Sequence, residues 1–264
     1  MNAIVLIKQV PDTAQLSANM DGLKLMAQGG PRIVNPWDEY AIETGLQLKE
    51  EHGGDCKLLC LGTPNAVEAL KTGLAMGASE AILLSDEAFA NGDSLATARA
   101  LVAALGKIGD YDVIIAGKSA IDGGTGHTAI QIAALLGIPS INYVSAIKEI
   151  DFAAKTITVE RLLEGGRETV TSTLPAVVSV VKEINEPRYP SFMGIRKAAK
   201  AQIPTWGPAD IDANPAEVGA AGSQVQWPEV NLPPTREARV EIIEGEPNEA
   251  AKALADKLIA EKII

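Results

Sequence analysis

With 264 residues and 47% hydrophobic composition, the chain can bury a sizeable core and is too apolar to be disordered. Its net charge of −11 repels phosphate backbones and anionic lipid, which argues against nucleic acid and membrane surfaces as partners. Apolar runs fall short of the roughly 18 residues of a membrane helix, so direct membrane insertion is not expected. With only two histidines, there is little from which to build a His-based metal site.

The opening "MNAIVLIKQVPDT" lacks a basic leader and a cleavage site. It reads as a first buried strand over 3–7, in a protein expected in the cytoplasm of a bacterium or archaeon. Further short apolar runs follow at 57–61, 81–85 and 112–116, each fit for a strand covered on both faces. Between them "WDEYAIETGLQLKEEH", "NAVEALKTGLAMG" and "SLATARALVAALGKIG" carry apolar residues at three- and four-residue spacing, the mark of helices. A fourth helix follows "GGTGHT". Alternating strands and helices predict an α/β fold, a doubly wound, mostly parallel sheet with helices on both faces. The two cysteines, in "CKLLC", would lie roughly 13 Å apart on one face of a strand, too far to bridge. They read as buried thiols in a reducing compartment.

The pattern changes near residue 140. Three β-rich runs over 156–184 predict an antiparallel hairpin turning at "EGGRE" and a last strand returned to the core. From 185 to 240 Pro and Gly break the patterning, and only "FMGIRKAAKA" looks helical; this stretch reads as an arm lying on something else. An amphipathic helix closes the chain. The organisation expected is a nucleotide-binding α/β domain over 1–185, an extended arm over 186–235, and a C-terminal segment with its helix over 236–264.

The stretch 116–139 carries the first chemistry. It is not a Walker loop, because Asp112 stands where the first glycine would be. "GTGHTA" fits G-x-G-x-x-[GA], but follows the fourth strand rather than the first. The physics holds without the pattern. Gly123, Gly124 and Gly126 let the backbone approach an anion, Thr125 and Thr128 add hydroxyl donors, and a helix N-terminus supplies free N–H groups. The alternative is a structural Gly-rich turn capped by Asp122, and His127 is a candidate phosphate donor. In "NPWDEYA", Asn35 suits an N-cap, Pro36 the first helical position and Asp38 the third, as in a capping box. The carboxylates of Asp38 and Glu39 would repel phosphate, so adenine or ribose is the part of a nucleotide expected there. No G-x-S-x-G elbow, Cys–His pair or metal spacing is visible, which points to a bound nucleotide without catalytic apparatus.

The stretch 159–200 resembles the signature of the electron-transfer flavoprotein β subunit, carried here by Val159, Arg161, Gly165, Pro175-Ala176-Val177, Asn185, Pro187-Arg188-Tyr189 and Lys200. "VLIKQVPDT", "NPWDEYAIE", "LAMGA" and "GKSAID" extend the resemblance over nearly the whole chain. It implies an adenine nucleotide alpha-hydrolase-like fold and a heterodimer with an α subunit that holds most of a redox-active FAD. It also implies a structural AMP in this subunit, and exchange of electrons with acyl-CoA-type dehydrogenases and a quinone oxidoreductase. Nucleotide contacts are implied at Leu6, Asn35, Pro36, Trp37, Asp38, Leu61, Asp122, Gly123, Gly124, Thr125, Gly126, His127, Thr128 and Gln131. Partner docking is implied at Pro190, Ser191, Phe192, Met193 and Ile195, with Phe192 or Met193 as the apolar tip. The openings of several segments look like the branch with nitrogen-fixation-linked and electron-bifurcating members, in which a second FAD takes the AMP site. That branch usually reads Asp-Gly-Asp-Thr-Ala-Gln where this chain has Asp122-Gly123-Gly124-Thr125-Gly126-His127. The departure favours AMP, with the bifurcating complex as the alternative. A stand-alone nucleotide-binding regulator is the alternative of another class.

Overall fold

The computed structural model describes residues 1–15, 30–226, 231 and 240–264. The chain divides into two compact units, Met1–Pro228 and Glu229–Ile264.

In the first unit, strands β1 (Asn2–Ile7), β4 (Asp55–Leu61), β5 (Glu80–Leu84) and β6 (Val113–Gly117) form the parallel heart of the sheet. Helices α1 (Pro36–His52), α2 (Val67–Met76) and α3 (Ser94–Ile108) connect them, and α4 (Thr128–Leu136) follows β6. The short strands β2 (Gln9–Pro11) and β3 (Arg32–Val34) form a separate antiparallel ribbon beside β1. Strand side chains alternate between two cores. Val5, Leu58 and Ile115 pack with Ile42 and Leu46 of α1 and Leu70 of α2. Ile4, Leu59 and Ile114 pack with Leu101 and Leu105 of α3 and Ile132 of α4. Two helices therefore cover each face, as the doubly wound reading predicts. Each fully buried Leu or Ile contributes about 1.5–3 kcal/mol of transfer free energy.

Past α4 the chain enters β7 (Ser140–Asp151), then the hairpin β8 (Thr156–Leu163) and β9 (Gly166–Thr173). The hairpin turns at Gly165-Gly166, with Gly166 at φ 135°, a value that glycine reaches without strain. β10 (Ala176–Val180) then returns between β6 and β7, parallel to both. With β11 (Thr205–Trp206) beside β5, the described strands are ordered β11-β5-β4-β1-β6-β10-β7-β8-β9. β7 was not anticipated: two register shifts against β8 interrupt its period of two, so its sequence does not alternate. Cys56 and Cys60 lie free and buried on the same face of β4, and burial pushes both thiols up to about 12.

The Pro- and Gly-rich stretch lies on the α/β unit itself. The short helix α5 (Phe192–Ala198) packs on α2, with Gly194 against the Ala75 carbonyl and Ala198 buried. Trp206 extends the sheet, and Lys107 sits 4.3 Å from its ring. Farther on, the four-residue helix α6 (Gly219–Gly222) packs against Ala88 and Ala90, and Asp93 takes N–H bonds from Gln224 and Val225 at 2.7 and 3.0 Å. Backbone contacts of this kind leave little side-chain periodicity, which is why the stretch reads as irregular. Residues 185–226 thus belong to the same compact unit as 1–185. The expected boundary at 235–236 lies outside the described residues. The second unit holds α7 (Pro247–Ala260), whose apolar Leu254 and Ile259 are exposed.

Gly45 sets how closely α1 approaches the sheet. A Cβ there would stand 2.8 Å from both Cys56 Sγ and Val5 Cγ2. In an open helix Gly→Ala gains about 1 kcal/mol, whereas overpacking a core costs about 1–3 kcal/mol. Gly45→Ala is therefore expected to lower the urea midpoint; a raised midpoint would show that α1 can back away from β1.

Candidate functional site

The order of strands reverses at β1: the chain builds β4 and β5 on one side, then crosses to β6 on the other. In open parallel sheets the crevice beyond the strand C-termini at such a switch point is where ligands bind. Leu6, Leu59 and Ala116 stand level across β4, β1 and β6, so the segments that leave these strands share one rim.

Two side chains tie this rim together. Asn35, buried at 1% exposure, donates to Ser119 O and Asp38 Oδ1, both at 2.9 Å, and accepts from Ile121 N–H at 3.2 Å. It does not cap its own helix with its side chain, contrary to the sequence expectation. Its amide instead suspends the 119–121 loop from the start of α1. Asp38 accepts the Lys8 N–H at 2.7 Å and a further backbone N–H bond from Gly117. The fit is close enough that a Cβ on Gly117 would meet Asp38 Oδ1 at 2.5 Å and Trp37 at 2.7 Å. Burial pushes the Asp38 carboxyl up to about 7, against the hydrogen bonds from Asn35, Lys8 and Gly117 and the charge of Lys8.

Beyond this brace the loop opens. Gly124 and Gly126 adopt φ of 68° and 64°, and a Cβ on Gly123 or Gly124 would meet nothing within 4 Å. Asp122 does not cap the turn: it pairs with Lys8 at 2.8 Å. Thr128 opens α4 after His127, whose side chain makes no cap bond. Gln131 lies one turn on, and its Oε1 is buried without a hydrogen-bond partner. An orphaned buried acceptor beside free helix N–H groups and an open glycine loop fits a polar ligand such as an adenylate.

The predicted residues divide between places. Asn35, Trp37 and Asp38 meet residues 117–121 at the rim, and Pro36 opens α1 among them. The Leu6 side chain is core, packed with Leu59 and Ala116, and Leu61 lies half-buried at the end of β4. Pro190, Ser191, Phe192, Met193 and Ile195 lie apart from the rim, where Phe192 is 79% and Met193 69% exposed. Sequence reasoning passed over Lys8, Gly117 and Lys118. Lys118 Nζ stacks 4.1 Å from the Trp37 ring, so two cations border the loop of an acidic chain. Lys8 and Lys118 follow directly on β1 and β6, and Gly117 is the last residue of β6; that position was the signal available. Among the described residues there is no cluster of three or more potential metal-ligating side chains, and no helix is long and apolar enough to cross a membrane.

Folding raises the Asp38 pKa above its ordinary value of 3.8, so the folded chain holds a proton that the unfolded chain has released. The stability contributed by this proton is present below about pH 4 and is lost as pH rises to about 7, at up to about 1.4 kcal/mol per pH unit. Urea melts between about pH 5 and about pH 8 should therefore show wild type losing stability relative to Asp38→Asn as pH rises; parallel curves would mean that Asp38 stays ionised.

Comparison with known proteins agrees with this architecture. A family profile described as "Electron transfer flavoprotein domain" matches residues 22–211. The chain is 38% identical to the electron transfer flavoprotein subunit beta of Thermoanaerobacterium thermosaccharolyticum, over the full length of both. It is 36% identical to Protein FixA of Azorhizobium caulinodans, covering 99% of this chain and 93% of that protein. It is 38% identical, again over both full lengths, to the caffeyl-CoA reductase-Etf complex subunit CarD of Acetobacterium woodii. The profile match over most of the chain and the full-length likeness to β subunits place the chain in the electron transfer flavoprotein family, among its beta subunits.

Proposed function

We propose that this subunit binds an adenine nucleotide, AMP, in the strand-end crevice and completes a heterodimer with an α subunit that holds most of one FAD. In this reading the heterodimer carries electrons from acyl-CoA-type dehydrogenases to a quinone oxidoreductase. The observation that carries the nucleotide is the 117–131 segment, tied to the start of α1 by Asn35 and carrying an open glycine loop, the N-terminus of α4 and one orphaned acceptor. FAD, when bound, supplies the redox chemistry, and the residues of this chain bind and orient. The Gly123–Gly126 backbone and the Thr125 and Thr128 hydroxyls suit phosphate oxygens, and Lys8 and Lys118 offset part of the negative charge nearby. The buried Gln131 Oε1 suits an amine or hydroxyl donor of the adenylate.

Exposed Phe192 and Met193 support a docking role for 190–195, since apolar side chains projecting together from a short helix act as binding anchors. The name of the caffeyl-CoA reductase complex relative supports a partner that acts on CoA thioesters. The alternative is the bifurcating complex, favoured by the branch likeness of the segment openings, with a second FAD in the crevice and NADH as donor.

The test is to purify the chain with its α subunit, denature the complex and quantify the released nucleotides. One FAD and one AMP per heterodimer supports the carrier. Two FAD without AMP assigns the bifurcating type, and NADH should then reduce the flavin. Neither FAD nor a co-purifying α subunit overturns the reading and favours a stand-alone nucleotide binder. Asn35→Ala should reduce the AMP recovered at least about tenfold, because it frees the 119–121 loop and leaves buried groups unpaired.

A further inference from the structure

Residues 185–188 grip the middle of α1. Asn185 Nδ2 donates to Tyr40 O at 3.1 Å and Thr44 Oγ1 at 2.9 Å. Three residues on, the Arg188 guanidinium is shared between two carboxylates. Its Nε and Nη2 donate to the two Glu43 oxygens at 2.8 and 2.9 Å, its Nη2 also to Glu50 Oε2 at 3.0 Å, and its Nη1 to Glu50 Oε1. The Arg188 backbone N–H donates to Glu43 as well. The Glu43 side chain is 4% exposed and Glu50 is largely exposed, so the clamp has a buried inner half and a solvent-facing outer half. A buried carboxylate without its arginine would be an uncompensated charge, so the geometry is strongly enforced.

What the clamp holds comes immediately after it. Tyr189 is 95% exposed, and Phe192 and Met193 follow within five residues of Arg188. Behind them Ser191 Oγ accepts the Gly194 N–H at 2.9 Å, and Gly194 rests on the Ala75 carbonyl, where any Cβ would collide. The exposed apolar tip is thus fastened on both sides, by Arg188 to α1 and by Gly194 and Ala198 to α2. A segment ordered before its partner arrives spares the complex the entropy of ordering it.

We propose that Arg188, held by Glu43 and Glu50, is a positioning residue for docking: it presents the 189–195 segment in its binding conformation and so sets affinity for the protein electron donor. This rests on the reading of 190–195 as the docking segment. Arg188 need touch neither nucleotide nor flavin, so its loss should appear in the KM for the donor and not in kcat or flavin content.

The test uses the purified heterodimer, with the acyl-CoA dehydrogenase of the same organism and its acyl-CoA as donor, and follows flavin reduction. The double variant Glu43→Gln/Arg188→Gln removes the clamp without leaving a buried charge. It is expected to raise the KM for the dehydrogenase about tenfold or more, with kcat within about twofold and FAD content unchanged. Glu50→Gln cuts only the solvent-facing half and decides the matter if the double variant does not assemble; a KM rise of about two- to fivefold is expected. Phe192→Ala separates the two readings. If it raises the KM while the clamp variants leave it unchanged, the clamp proposal falls and docking stands. If Phe192→Ala leaves the KM unchanged, or the dehydrogenase does not reduce the wild-type complex, the docking reading fails and this proposal fails with it.

Discussion

Asp38 places a carboxylate where three parts of the fold meet: the exit of β1, the start of α1 and the end of β6. Its two oxygens are occupied by N–H donors from Lys8, Asn35 and Gly117, and it is buried. Desolvation works against the charge, and the converging hydrogen bonds work for it. Replacing or moving any of these groups would leave a polar atom buried without its partner, at about 1–3 kcal/mol each. The position of the rim loop over the crevice follows from this knot, because Asn35, oriented by Asp38, is what suspends 119–121.

Helix α1 then does more than cover one face of the sheet. Its first turn holds the rim of the crevice, and its middle, through Tyr40, Glu43, Thr44 and Glu50, holds the segment that presents Phe192. Gly45, between those contacts, lets the helix lie close enough to β1 and β4 for both ends to reach. One rigid element thus positions two separate surfaces.

Charge is distributed to the same end. The chain is acidic overall, yet the residues bordering the glycine loop include Lys8, paired with Asp122, and Lys118, stacked on Trp37. Far from the loop the field of an acidic protein repels anions; within a few ångströms, two cations and oriented N–H groups prevail. The loop is therefore locally favourable to an anion although the chain as a whole is acidic.

The sequence alone determined the periodic parts. The buried runs at 3–7, 57–61, 81–85 and 112–116, the helices between them and the turn at Gly165-Gly166 are local patterns, and each strand or helix formed where its own residues called for it. The glycine loop and the "NPWD" segment were legible as a candidate site for the same reason: Gly, Thr and a helix start carry their chemistry with them. Tertiary structure alone decided how they are joined. Asn35 reads as a helix cap in sequence, and it becomes a bridge only because β6 brings Ser119 and Ile121 beside it, 84 and 86 residues away in the chain. β7 was hidden because its bulges break the alternation that would reveal it. Arg188 stood in the 159–200 signature, but its pairing with Glu43, 145 residues away, had no local mark. Local propensity sets where elements form, but an interaction between residues far apart in sequence exists only once the fold has brought them together.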